Sequence, residues 1–207
     1  LNFGALSVLS FHATKTFNTM EGGAIICNDE KMKQHLDQLK NFGFTNETTV
    51  VEVGINGKMN ELQAAFGLLQ LEKINGELEK RKKIAIQYRK FLSAIEGISF
   101  LDDQENVEHN YSYFPIFINE QQYGQTRDSL YFKLQEHNIF GRRYFYPLIS
   151  DFPLYEDIPS SNPKNLLIAK KITQQVICLP IYAELKLDVV DYICHILRQE
   201  SNNKAVL

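Results

Sequence analysis

Lys15 stands between two apolar runs, Leu6 to Phe11 before it and Ala24 to Cys27 after it. Both runs have the β-branched and aromatic content of strands, the first of them buried. A lysine held between core strands is partly desolvated. Its amine then loses some preference for the charged form and becomes a usable nucleophile. The chemistry open to such an amine is attack on an aldehyde, and we expect Lys15 to form a Schiff base with a cofactor aldehyde. Ser10 and His12 precede it by five and three positions and could line the same cavity. The Ser10 hydroxyl suits a phosphate oxygen. Glu21-Gly22-Gly23 supplies a flexible turn where backbone can approach a ligand. On spacing alone this is a weak signal, because a lone lysine among strands is more often structural.

Two further groups carry candidate chemistry. Asn56 lies in Gly-Ile-Asn-Gly just before a helical pattern. As a structural residue it is a turn or cap. As a functional one it is an amide donor to an anion at a helix start, where dipole and backbone N–H groups already favour negative charge. In Gly141-Arg142-Arg143-Tyr144-Phe145-Tyr146, strand alternation would put Arg142, Tyr144 and Tyr146 on one face. That face is either a charged edge strand or a patch meeting a phosphorylated or sugar substrate. His35, His109, His137 and His195 have no metal-type companions and read as surface or boundary residues; no metal site is expected.

The elements that must position these residues follow in order. Asn28-Asp29 caps a helix reaching about Asn41, with Met32, Leu36 and Leu39 on one face. Residues 42–57 form a loop with a short extended piece at 48–53. A long helix then carries Met59, Leu62, Phe66, Leu69, Ile74, Leu78, Ile84, Tyr88 and Leu92, with a break or kink possible at Asn75-Gly76. The charged run from Glu77 to Lys83 reads as its solvated face, and Gly97 ends it. Beyond it we expect strands at 111–118 (Pro115 suggesting an edge), 139–146 and 176–179. Helices are expected at 126–137, 164–174 and 187–198, with a proline-rich loop at 147–163 and a frayed tail from Ser201. The organisation is α/β: the end of a large domain over 1–75, a bridging helix over 76–97 and a small α+β domain over 98–207.

Composition limits the function classes. The 207 residues are 44% hydrophobic and 23% charged, with a net charge of −3. That balance lacks the basic footprint of a nucleic-acid binder. No apolar stretch is long enough to span a bilayer, so no membrane partner is expected. Cys27, Cys178 and Cys194 lie in apolar contexts, read as reduced core cysteines and suit a cytoplasmic protein. The chain opens at Leu1, directly on a core-like strand, and is expected to be the C-terminal part of a larger protein.

Ser10-Phe-His-Ala-Thr-Lys15 followed by Glu21-Gly22-Gly23-Ala24 resembles the cofactor-lysine segment of the DegT/DnrJ-type sugar-nucleotide aminotransferases. Lys40-Asn-Phe-Gly43, then Gly54-Ile-Asn56-Gly-Lys-Met-Asn-Glu61-Leu-Gln-Ala-Ala65, resembles that family's second signature. The resemblance continues through residues 144–148 and the Leu179-Pro180 strand end, so it covers nearly the whole chain. Two motifs in order at family-like spacing are far more specific than either alone. Their wording is nearest to enzymes that aminate the 3-keto group of dTDP-linked 3-keto-6-deoxyhexoses.

The resemblance implies pyridoxal 5′-phosphate chemistry on a fold type I scaffold, with Lys15 as cofactor lysine and as the base and acid of the proton shift. It implies that Ser10 contacts the cofactor phosphate. It implies that Asn56 reaches the phosphate of a neighbouring subunit's cofactor, hence a homodimer with shared sites. His12 belongs to the motif without a defined role. Partners would be a sugar nucleotide and an amino-acid donor, glutamate. Related dehydratases carry histidine at the lysine position, so Lys15 favours amino transfer. The family's acid for the pyridine nitrogen, ring-stacking aromatic and glycine-containing phosphate loop are not among these residues, so this piece alone is expected to turn over little. A histidine common after the Pro-Leu of the substrate loop is also missing near Ile149-Ser150. The alternatives are a non-catalytic dimerisation or regulatory remnant and a sugar dehydratase of the same fold.

Overall fold

The computed structural model describes residues 3–202, so the expected fraying of the tail falls largely outside the described residues; Ser201 itself is helical. The chain divides into two compact units between Asn75 and Gly76.

The first unit opens on an antiparallel ribbon of β1 (Ser7–Ser10) and β2 (Gly23–Ile26), registered Ser7 to Ile26 and Ser10 to Gly23. The expected burial of these strands is not found. The cross-strand partners Val8 and Ile25 share one face and are 75% and 51% exposed. A ribbon of two strands has two faces, and the unit half-covers only the one bearing Leu9, Ala24 and Ile26. Helix α1 (Glu30–Leu39) starts where Asp29 Oδ1 accepts the Met32 N–H at 2.7 Å.

The chain then doubles back on itself. Ile55 N–H donates to Leu39 O at 2.8 Å, Phe42 N–H to Ile55 O at 3.0 Å and Gly57 N–H to Lys40 O at 2.8 Å. This crossing requires glycine. Gly43 has φ +82°, and a Cβ there would lie 1.8 Å from Glu52 O. The two halves of the second signature, 40–43 and 54–57, are thereby stitched together.

Helix α2 (Glu61–Leu92) is capped by Asn60, whose Oδ1 accepts the Gln63 N–H at 2.9 Å. It runs unbroken through Asn75-Gly76, where the sequence suggested a break or kink. Glycine in a helix costs about 1 kcal/mol, and the 32-residue helix absorbs it. Within the charged run, Arg81 is only partly solvated. Its Nη1 donates to Ile181 O at 2.8 Å and Tyr111 O at 3.2 Å, tying the helix to two loops of the second unit.

The second unit holds an antiparallel sheet ordered β3 (Ile98–Phe100), β4 (Phe114–Ile118), β5 (Val176–Leu179). Helices α3 (Glu120–Tyr123), α4 (Arg127–Glu136), α5 (Leu167–Gln175) and α6 (Leu187–Asn202) accompany it. Tyr88, Leu92, Ile116, Leu130, Ile177 and Leu197 are core residues with almost no exposure. Pro115 is central rather than on an edge strand. Both backbone groups of its partner Cys178 are spent on Arg142, so the donor Pro115 lacks would face β3, which has already ended at Phe100. Residues 139–146 are not a strand. A single bridge joins Arg142 to Cys178, and the Tyr146 N–H then closes a turn onto Arg143 O at 2.7 Å.

Candidate active site

Lys15 sits in the loop between β1 and β2. Backbone bonds pinch the loop's ends: Phe11 N–H to Gly22 O at 2.8 Å and Thr19 N–H to Phe11 O at 2.9 Å. Inside it, Lys15 N–H donates to His12 O at 2.9 Å, and the Phe11 and Phe17 rings meet edge-on at 4.9 Å. Thr19 is fully buried and its Oγ1 donates to Glu21 O at 2.8 Å. A Cβ at Gly22 would fall 2.5 Å from that same oxygen and 2.9 Å from Met59. Thr19 also leaves no room for a Cβ on Gly67 of α2. Thr19 is therefore the anchor of the lysine loop. Sequence reading missed it because a threonine among turn residues carries no signal.

Lys15 is half-buried, and among the described residues nothing is bonded to its amine. Ser10 is exposed at the end of β1, and its Oγ accepts the His12 N–H at 3.4 Å, leaving its own O–H free to donate. His12 Nδ1 lies 3.5 Å from Glu21 Oε1, both largely exposed, so the pair brackets the loop mouth. An unpartnered amine beside a hydroxyl facing outward fits an aldehyde-bearing, phosphorylated cofactor.

Asn56 pairs in an isolated bridge with Asn41, and its exposed side chain bonds to none of the described residues. It is not at the helix start, because Asn60 holds the cap of α2. Its backbone is instead fixed by the stitched ribbon. Beside it, Lys58 Nζ bonds Asn41 Oδ1 and lies 4.9 Å from the Phe42 ring centre.

The second unit has a cleft of about 320 Å³ lined by Tyr131, Arg142–Pro147, Ile149 and Phe152. Arg142, Tyr144 and Tyr146 share it, through a turn rather than strand alternation. Tyr144 and Phe145 stack at 4.6 Å, and Tyr113 meets Tyr144 edge-on at 5.4 Å. Among the described residues no cluster of three or more metal-ligating side chains occurs, and no helix is long and apolar enough to cross a membrane.

Residues 2–198 match the DegT/DnrJ/EryC1/StrS aminotransferase family. The chain belongs to that family, one of pyridoxal-phosphate enzymes. It is 47% identical over 200 residues to a dTDP-4-amino-4,6-dideoxy-D-glucose transaminase of Shigella dysenteriae, covering 96% of this chain and 53% of that protein. It is 46% identical over 183 residues to the Escherichia coli protein of that name, covering 88% and 49%. The chain thus spans about half the length of these relatives. Among solved structures it resembles DesI, crystallised with its TDP-sugar product, at TM-score 0.85 and 26% identity over 97% of this chain and 50% of that one. Helicobacter pylori PseC, an aminotransferase of pseudoaminic acid biosynthesis, superposes at TM-score 0.86 and 25% identity, over 97% and 54%. The fold is that of the pyridoxal-phosphate sugar aminotransferases.

Proposed function

We propose that this chain carries the cofactor lysine and the small domain of an aminotransferase that moves an amino group onto a keto-deoxyhexose nucleotide. The observation that carries the reading is the unpartnered, half-buried Lys15 amine beside an outward-facing Ser10 hydroxyl. Bound pyridoxal phosphate supplies the electron sink that lets nitrogen pass from an amino acid to a ketone. Lys15 Nζ is the nucleophile that holds the cofactor and the base that moves a proton between the reacting carbons. Ser10 Oγ donates to the phosphate. Asn56 donates to the phosphate across a homodimer, so two chains complete each site. Arg142 pairs with the substrate's phosphates, and Tyr144 and Tyr146 flank the sugar nucleotide in the cleft.

The wording of the signatures favours a dTDP-3-keto-6-deoxyhexose with glutamate as donor. The names of the Shigella and E. coli relatives place the amino group at C4, and this supports a 4-keto-6-deoxyhexose on dTDP as the substrate. NMR of the product made from each keto sugar separates the two.

The lysine assignment has a direct test. The full-length protein is mixed with pyridoxal phosphate, reduced with borohydride and digested. The expected result is a cofactor mass on the peptide holding Lys15, and none in Lys15→Ala. Cofactor mass on another lysine, or on none, would overturn it. In that case a dimerisation or regulatory role is the better reading.

A further inference from the structure

Arg142 and Arg143 are neighbours, yet the structure gives them different surroundings. Arg142 is exposed, and its guanidinium bonds to none of the described residues. Arg143 Nη1 donates to Asp128 Oδ1 at 2.8 Å. Its guanidinium also lies 4.4 Å from the Tyr131 ring centre and 5.4 Å from that of Tyr146. Asp128 is shared. Arg127 Nε lies 2.7 Å from the same oxygen, off its N–H direction, so the contact is one of charge rather than a hydrogen bond.

Arg127 is only 3% exposed. Its Nη1 donates to Thr173 O at 2.8 Å and Val176 O at 3.1 Å, where α5 passes into β5. Its guanidinium lies 4.6 Å from the Tyr146 ring centre. Two cations therefore bear on one tyrosine ring, and one carboxylate holds both cations in place. An arginine in the first turn of α4 opposes the helix dipole, which favours acids there. Its burial and four contacts give it a reason to be there.

We propose that Arg127, Asp128 and Arg143 form a positioning brace that fixes Tyr146 in the cleft, and that Arg142 alone binds the anionic diphosphate of the nucleotide. This rests on the cleft being the substrate site. Arg143 has part of its charge offset by Asp128, which it shares with Arg127, and its faces occupied by rings, so less of it is left for an anion. Arg142 has both free.

The test measures thymidine diphosphate binding to the full-length holoenzyme across salt concentrations, with 3-fluorotyrosine incorporated at Tyr146. Arg142→Gln should weaken binding about tenfold and flatten its salt dependence, since screening acts on the pairing it removes. The fluorine resonance should stay in place. Arg143→Gln should shift that resonance and keep the parent salt dependence, with a loss of only a few-fold. A flattened salt dependence in Arg143→Gln, or an unmoved resonance, would overturn the brace. If neither variant changes binding while the resonance moves in Arg143→Gln, the substrate assignment of the cleft fails instead. Asp128→Asn, at a half-exposed site, serves where Arg143→Gln does not fold, and should shift the same resonance.

Discussion

At the scale of single residues, the proposed site rests on side chains that the rest of the chain leaves largely unpartnered. Asn56 is the sharpest case. The crossing of 40–43 with 54–57 fixes its backbone, while its amide bonds to none of the described residues. Asn56→Ala should therefore leave the melting temperature nearly unchanged. If the amide donates to a phosphate, cofactor affinity should fall about ten- to a hundredfold, the range of a hydrogen bond to a charged group at ~1.5–3 kcal/mol. Thermal melting with cofactor titration in parallel checks both, and unchanged affinity would remove Asn56 from the site. Lys15, Ser10 and Asn56 stand out in the sequence as candidates because two spaced signatures surround them. The sequence hid Thr19 and Arg127. Their importance lies in burial and in carbonyls far along the chain, which local pattern does not record.

At the scale of elements, a cap made the first helix legible. Asp29, read as a cap from the sequence, accepts an N–H in the first turn of its helix. Thr126 does the same for the helix expected at 126–137, whose cap is not read from the sequence; both sets of boundaries match within a residue or two. The strand expected at 139–146 failed for a physical reason. Large side chains alternate there because a turn stacks Tyr144 on Phe145 and aims Tyr146 at arginines, which imitates strand periodicity. The α6 and β5 cysteines give a prediction about pH. Burial pushes the Cys178 thiol up to about 11 and the Cys194 thiol up to about 12, from 9.0. Burial also raises the Tyr88 and Tyr123 hydroxyls. A raised pKa in the folded state means the unfolded chain loses its proton first. That contribution to stability is full below pH 9 and is lost as pH climbs toward 11 and 12. Urea midpoints measured from pH 8 to pH 11 should fall steadily above 9, and the fall should be shallower in Cys194→Ala. A flat profile would mean these groups ionise as readily folded as unfolded.

At the scale of the whole molecule, the family match covers nearly all of the chain, yet the chain spans only about half of each relative's length. Its most exposed apolar surface includes the ribbon that frames Lys15. Each of β1 and β2 has the other as its sole strand partner among the described residues, so each presents an open row of N–H and C=O groups. Val8 and Ile25 add a bare, branched apolar face. Such a ribbon is a template for strand addition and a nucleus for aggregation. The 207-residue polypeptide expressed by itself should scatter light increasingly with concentration, and Val8→Lys, a gatekeeper charge on that face, should suppress the scattering. Equal scattering from both proteins would place the sticky surface elsewhere. The strands on either side of Lys15 would thus also set how concentrated this polypeptide can become before it precipitates.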